Sequence, residues 1–396
     1  MPGYETIGEE ERREVLEILS KKVLFRYEFH SERGGVYKVE QFEEEFARYC
    51  GTRFALAVSS GTAALKVALA SLGIGPGDEV VTQGFTFVAT WEAILDMGAI
   101  PVFSEIDETL CMDPDDLEKR ISPNTKVIMP VHMCGAQARI DKIMEIAKRH
   151  NLYVIEDTAQ ACGGRFRGKA LGSFGDVGTF SFDSVKTITT GEGGMLITDD
   201  ESLYIKASQY HDHGHDHNPE LPRGLEGRDF IGFNFRMMEL QGAIGIAQLR
   251  KLDSIILKRQ RKNKKIIKEL LSGKDLIRFR HIPDPEGDTA TFLSIFIDNE
   301  DELKRFKDIM GSYNIPIIYW GENLWHNFSH WEHLHGQKSI QRYGYPFKDR
   351  DGSLRMRYHS DELPKTSEIL SRCISIPISI YMDETIEKIR EAVTRL

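Results

Sequence analysis

The sequence predicts an α/β protein built on a large, mostly parallel sheet, with a second and smaller α/β domain toward the C-terminus. Three observations carry this reading. Between residues 54 and 198 short apolar runs alternate with helix-length amphipathic stretches, the pattern of parallel strands joined by crossover helices and covered on both faces. A long helical stretch then runs to about Leu271, and from Leu276 the rhythm changes to shorter strands and helices. The expected division is residues 1–30 as an N-terminal helix or arm, 31–250 as the large domain and 251–396 as the small domain.

Taken in order, residues 7–20 place Val15, Leu16, Ile18 and Leu19 on one face of an acidic helix, and residues 39–49 form a second helix. The buried strand Phe54–Val58 passes through Ser59-Ser60-Gly61-Thr62 directly into a helix reaching about Leu72. Strands follow at 79–82, 99–103, 127–131 and 152–155, with helices at 88–97, 114–120 and 139–149 between them. An apolar strand then delivers Lys186 and breaks into a Thr/Gly-rich turn before the strand 195–198. In the second domain the expected elements are strands at 291–297, 316–319 and around Cys373 to Pro377, and helices at 301–312 and 384–394.

The 396 residues carry 51 lysines and arginines against 61 acids, a net charge of −10 that disfavours a nucleic-acid partner. The five cysteines are scattered without a CxxC pair, so neither a zinc knuckle nor a disulfide framework is indicated. No apolar run is long enough to cross a membrane and no leader pattern opens the chain, so a soluble, cytoplasmic protein without membrane partner is expected.

Several short pieces carry chemistry. The strand–turn–helix at Ser60 to Thr62 aims backbone N–H groups at an anion, here a phosphate; the bland alternative is a well-capped helix. Glu156 and Asp157 end a buried strand, where two acids are costly unless at least one meets a cation, the alternative being an N-cap or surface salt bridge. Lys186, between Ser181-Phe182 and Gly191-Glu192-Gly193-Gly194, is presented by a turn, or is simply a surface lysine. His211-Asp-His-Gly-His-Asp-His217 has metal-like spacing, but between a helix and a Pro/Gly-rich stretch it reads as a polar loop over an active-site mouth, and no metal is expected. The aromatic and histidine-rich stretch from Trp320 to His335 reads mostly as domain packing, with a substrate wall as the alternative.

The ordered set Ser59-Ser60-Gly61-Thr62-Ala63-Ala64-Leu65, Phe85-Thr86-Phe87-Val88-Ala89-Thr90, Glu156-Asp157-Thr158-Ala159-Gln160-Ala161, Ser181-Phe182 with Lys186 and Gly191-Glu192-Gly193-Gly194, and Gly232-Phe233-Asn234-Phe235-Arg236 resembles the DegT/StrS-type sugar aminotransferases, over Ile7 to Pro377. The opening Met1-Pro2-Gly3-Tyr4-Glu5, the His-Asp loop and the Trp/His-rich stretch further resemble the transaminases making 8-amino-3,8-dideoxy-octulosonate for lipopolysaccharide. The resemblance implies a fold type I, aspartate aminotransferase-like enzyme using pyridoxal 5′-phosphate and working as a homodimer with shared active sites. It implies that Lys186 forms the Schiff-base link and moves the proton, that Asp157 pairs with the ring nitrogen, and that Gln160 bonds the ring's 3-hydroxyl oxygen. Phe87 stacks on the ring; Gly61, Thr62 and Ser181 hold the phosphate, joined by Asn234 of the partner subunit. The expected substrates are glutamate as amino donor and a keto or aldehyde sugar, 3,8-dideoxy-8-oxo-octulosonate, as acceptor, with a nucleotide-linked keto-hexose as the alternative. For a carboxylate-bearing acceptor Arg26, Arg223 and His215 are the substrate-contact residues expected at the mouth. A dehydratase on the same fold has histidine in place of the lysine, which this chain keeps; a non-catalytic regulator retaining the pocket is the alternative from another class.

Overall fold

The computed structural model describes residues 3–396, so Met1 and Pro2 of the opening motif lie outside the described residues. A seven-stranded sheet organises the large part of the chain. Its strands are β1 (Phe54–Val58), β2 (Glu79–Gln83), β3 (Ile100–Ser104), β4 (Thr125–Ile128), β5 (Tyr153–Asp157), β6 (Val177–Ser181) and β7 (Gly194–Thr198). Across the sheet they run β1-β7-β6-β5-β4-β2-β3, with β7 antiparallel to both neighbours and every other pairing parallel. All five residues of β6 and of β7 are buried, so neither strand alternates between apolar and exposed polar positions.

The crossover helices α1 (Gly61–Ser71), α2 (Ala89–Asp96), α3 (Pro114–Arg120) and α4 (Ile140–His150) follow the sequence expectation to within a residue or two. Their ends are chemically marked. Ser60 and Asp113 cap α1 and α3 through their side chains, Pro114 opens α3, and Asn151 in the left-handed region stops α4. The strand expected at 127–131 stops at Ile128 because Pro130 cannot donate to the ladder, and Val131 keeps only a parallel bridge to Asp157. The strand expected at 152–155 runs on to Asp157, carrying both acids at its end.

The long helical stretch is two α-helices, Glu239–Lys251 and Lys258–Leu271, joined by a π-helical segment Leu252–Leu257. Beyond it a four-stranded antiparallel sheet takes the order Arg278–Phe279, Phe292–Phe296, Cys373–Pro377, Ile318–Tyr319, backed by helices Glu300–Ser312 and Asp383–Val393 around a separate apolar core. The helix Pro364–Ser371 is a further element, absent from the sequence expectation. The aromatic stretch from Trp320 packs back onto the large sheet: Phe103 of β3 meets Phe328, Trp331 and Tyr358 at ring separations of 5.0 to 5.6 Å. Among the described residues no helix is long and apolar enough to cross a membrane, and no group of three or more potential ligands is placed to hold a metal ion.

Candidate active site

A cleft of about 260 Å³ opens beyond the carboxyl ends of the parallel strands, where α/β sheets place their ligands. It gathers residues from five separate strand ends: Ser60 to Thr62 after β1, Phe87 and Thr90 after β2, Val131 after β4, Asp157 and Gln160 after β5, and Ser181 and Lys186 after β6.

The period of a strand sends neighbouring side chains to opposite faces, and this separates the two acids. Glu156 is fully buried and satisfied within the fold, accepting the N–H groups of Gly172 (2.9 Å), Phe174 (2.6 Å) and Gly175 (2.8 Å). It also accepts from His132 Nε2 at 2.9 Å; His132 Nδ1 accepts the Ala138 N–H, which fixes the proton on Nε2 and makes this histidine a structural one. Asp157 faces the cleft. Its Oδ1 accepts from the Ala159 N–H (3.1 Å) and its Oδ2 from Thr90 Oγ (2.9 Å), itself within 2.7 Å of Thr86 Oγ. Burial raises the Asp157 carboxyl above its ordinary range against the pull of those donors and of the Lys186 charge.

Lys186 stands across the cleft on a turn held by its N–H to the Asp183 carbonyl (3.0 Å) and by Val185 N–H to Asp183 Oδ1 (2.9 Å). Burial lowers its pKa, opposed by the charges of Asp157 and Asp183, so the amine is brought toward its neutral, nucleophilic form. At the third corner, Ser60 Oγ takes the Ala63 N–H (3.0 Å), leaving the Gly61 and Thr62 N–H groups at the start of α1 without an acceptor among the described residues. A Cβ on Gly61 would lie 2.7 Å from Ser181 Cβ, so only glycine lets this helix end close on Ser181. Gln160 Oε1 accepts the Cys134 N–H (3.0 Å), which turns its amide NH₂ to the cleft. Phe87 forms a wall, with Trp325 nearly parallel to it at 6.0 Å.

The other expected residues lie elsewhere in this chain. Asn234 is exposed on the loop before Glu239, bridged to Asp212, just after the exposed side chains of Ile231 (82%) and Phe233 (48%). Arg26 and Arg223 line a different cavity of about 710 Å³ with Tyr27 and His217. Arg26 is buried against Glu43 at 2.6 Å; Arg223 grips Asp212 bidentately at 2.7 and 2.8 Å, with Arg236 on the same carboxylate. His215 Nδ1 is bound to Glu226 at 2.6 Å. The His-Asp loop is thus a self-paired polar network. Sequence reasoning gave no role to Thr90, and to His326 only a share in the substrate-wall alternative for the Trp320–His335 stretch; both line the cleft. Thr90 sits inside a quoted motif three residues after Phe87, a spacing that puts it on the same side of the helix start; His326 was marked only by the composition of its stretch, because a turn far along the chain brings it in.

The donor set fits pyridoxal 5′-phosphate. The two unpartnered N–H groups at a helix start and the Ser181 hydroxyl suit a phosphate, and the buried Asp157 carboxylate lacks the full cationic partner that a protonated ring nitrogen supplies. Phe87 offers the ring a face, and Lys186 lies within reach of the same space. On this sheet topology, that fit defines the class: a fold type I pyridoxal-phosphate protein. The chain belongs to the DegT/DnrJ/EryC1/StrS aminotransferase family, whose profile matches residues 5–328. It is 45% identical over 224 residues to the GDP-perosamine synthase of Caulobacter vibrioides, a match spanning 56% of this chain and 59% of that protein, less than two thirds of its length. It is 40% identical over 283 residues to the spore coat polysaccharide biosynthesis protein SpsC of Bacillus subtilis, covering 70% of this chain and 68% of that one. The crystal structure of an aminotransferase from Psychrobacter cryohalolentis superposes with a TM-score of 0.82 at 28% identity, covering 98% of this chain and 97% of that chain.

Proposed function

We propose that this protein is an aminotransferase that takes an amino group from glutamate and places it on the carbonyl carbon of a keto or aldehyde sugar. The observation that carries the reading is the presence of Lys186 and Asp157 in one cleft with the unpaired start of α1. The acceptor is 3,8-dideoxy-8-oxo-octulosonate, the reading supported by the opening, the His-Asp loop and the Trp/His-rich stretch. A GDP-linked keto-hexose is the second reading, supported by the name of the Caulobacter relative.

Pyridoxal phosphate, when bound, supplies a carbonyl conjugated to an electron-accepting ring. The chain's residues do the rest. Gly61, Thr62 and Ser181 would anchor the phosphate and so fix where the ring can lie; Asp157, which accepts from Thr90 and the Ala159 N–H, would hold a proton at the ring nitrogen. Gln160 would donate to the ring oxygen, and the Lys186 amine would carry a proton from the donor's α-carbon and later return one to the acceptor carbon. Phe87 and Trp325 shield one side from water. The working unit is a homodimer, in which the exposed loop carries Asn234, and with it Arg223 and His215, toward the partner's cleft; its exposed Leu225, Ile231 and Phe233 support burial against a second copy.

Purified protein loaded with pyridoxal phosphate should absorb in the visible, lose that band on adding glutamate, and regain it on adding the acceptor sugar. Persistence of the band with glutamate would leave a cofactor-binding regulator in place of an enzyme; recovery with a GDP-linked keto-hexose and not with the octulosonate would select the second reading.

A further inference from the structure

We propose that His326 selects the sugar acceptor, its unprotonated Nε2 accepting a hydrogen bond from a hydroxyl of the sugar bound in the cleft. The inference rests on the aminotransferase reading above and adds a specificity-determining residue to it.

The tautomer follows from geometry. Asn323 Oδ1 receives the N–H groups of Trp325 (3.1 Å) and His326 (2.9 Å), which identifies that atom as the amide oxygen. His326 Nδ1 lies 3.0 Å from the same oxygen and must therefore be the nitrogen that carries the proton. In the neutral ring Nε2 is then a bare lone pair. It has no hydrogen-bond partner among the described residues, and the ring lines the cleft with Lys186 and Phe87. The ring is held in place: Trp320 packs edge-on at 5.3 Å, Phe87 lies at 5.4 Å, and the His326 carbonyl accepts the Thr86 N–H at 3.1 Å. Burial, with the Lys186 charge beside it, lowers the His326 pKa to about 4, which keeps the second proton off at neutral pH.

Such a nitrogen distinguishes the two substrates that use the cleft in turn. Glutamate carries no hydroxyl to donate to it, whereas the sugar acceptor does, and a hydroxyl is a donor of the right kind. A buried acceptor aimed at a hydroxyl disfavours any analogue lacking it, because the acceptor is then left unpaired.

The test uses the loaded protein with His326→Phe, which keeps a flat ring and removes the acceptor, and His326→Gln, which restores an acceptor oxygen. His326→Phe should leave the pyridoxal phosphate Kd and the glutamate half-reaction within about threefold of wild type, while kcat/KM for the acceptor falls roughly ten- to a hundredfold and is partly regained in His326→Gln. Deoxy analogues of the acceptor, each lacking one hydroxyl, should reveal one position whose loss costs the wild type that same factor and costs His326→Phe nothing. The proposal is overturned if both half-reactions slow together, if the acceptor reaction is unchanged, or if no deoxy analogue shows that difference. A wild type that glutamate does not charge removes the aminotransferase reading first, a result recognisable before any variant is made.

Discussion

The backbone N–H of Gly3 donates to the carbonyl oxygen of Lys186 at 2.8 Å, joining the start of the described chain to the turn that presents the cleft's amine. The contact belongs to a strap. Glu5 accepts from the Ser379 hydroxyl (2.7 Å) and the Ile380 N–H (3.0 Å), and Lys251 Nζ donates to the Thr6 carbonyl (2.8 Å). Residues 3–6 therefore tie the end of the small sheet to the Lys186 turn. A Cβ at position 3 would lie 2.7 Å from the Lys186 oxygen, so Gly3→Val must push the strap away. With a net hydrogen-bond contribution of about 0.5–1.5 kcal/mol, the glutamate half-reaction should slow by roughly three- to tenfold, with little change in Tm. Stopped-flow absorbance and a thermal melt read the two quantities; an unchanged rate would show that the strap does not position the turn.

Asp157 and Lys186 give the cofactor-free protein a pH signature of defined sign. Burial raises the Asp157 carboxyl above 3.8, so in the window above that value the folded chain holds more protons than the unfolded one, and stability falls as pH rises through it. Burial lowers Lys186 below 10.5, so in the window below that value the folded chain holds fewer protons, and stability is lost as pH falls. Asp157→Asn should flatten the acid-side slope and leave the cofactor-free fold at least as stable at neutral pH, while weakening pyridoxal phosphate binding. Urea midpoints from pH 4 to 10, with and without cofactor, provide the check; a variant markedly less stable at neutral pH would contradict the account.

Removing the amine separates binding from proton movement. Lys186→Ala keeps the helix start, Ser181 and Asp157, so the cofactor should still bind, but without its covalent link. Loss of a positioned proton carrier alone slows a reaction by about 10²–10⁴-fold, and the half-reaction with glutamate should fall at least that far. A small amine added to the solution should restore a measurable part of it. Retained activity in Lys186→Ala, followed by single-turnover absorbance, would move the chemistry to another residue.

The parallel sheet and its helices were legible because each crossover unit writes its own periodicity and caps into contiguous sequence: Ser60 before α1, and Asp113-Pro114 before α3, mark boundaries locally. The cleft side chains were legible through the ordered motifs at the strand ends. What sequence could not show is where long-range packing sends a residue. His326 reaches the cleft only because the 323–327 turn docks on Phe85 to Phe87. Arg26 and Arg223, isolated cations in the sequence, find carboxylates 17 and 11 residues away along the chain, a pairing no local period encodes. The strand Arg278–Phe279, two residues long, carries no pattern at all.

The Arg26 pairing can be weighed against a substrate-binding role directly. Its guanidinium is 2.6 Å from Glu43 and donates to the Ala57 carbonyl at 3.2 Å, while Glu43 also accepts the Ala57 N–H at 2.5 Å, so the pair locks α-helix Lys38–Cys50 to edge strand β1. Burial raises the Glu43 carboxyl even against the neighbouring guanidinium, so this acid depends on its partner to remain charged. Breaking one side of such a pair costs about 3–5 kcal/mol, whereas replacing both charges by neutral groups of similar volume costs far less. Arg26→Met should therefore lower the denaturation midpoint sharply, and Arg26→Met/Glu43→Gln should regain most of the loss. Were Arg26 instead to grip an acceptor carboxylate, the double variant would be as impaired in acceptor KM as the single one; recovery of both stability and KM in the double variant assigns the pair to the fold.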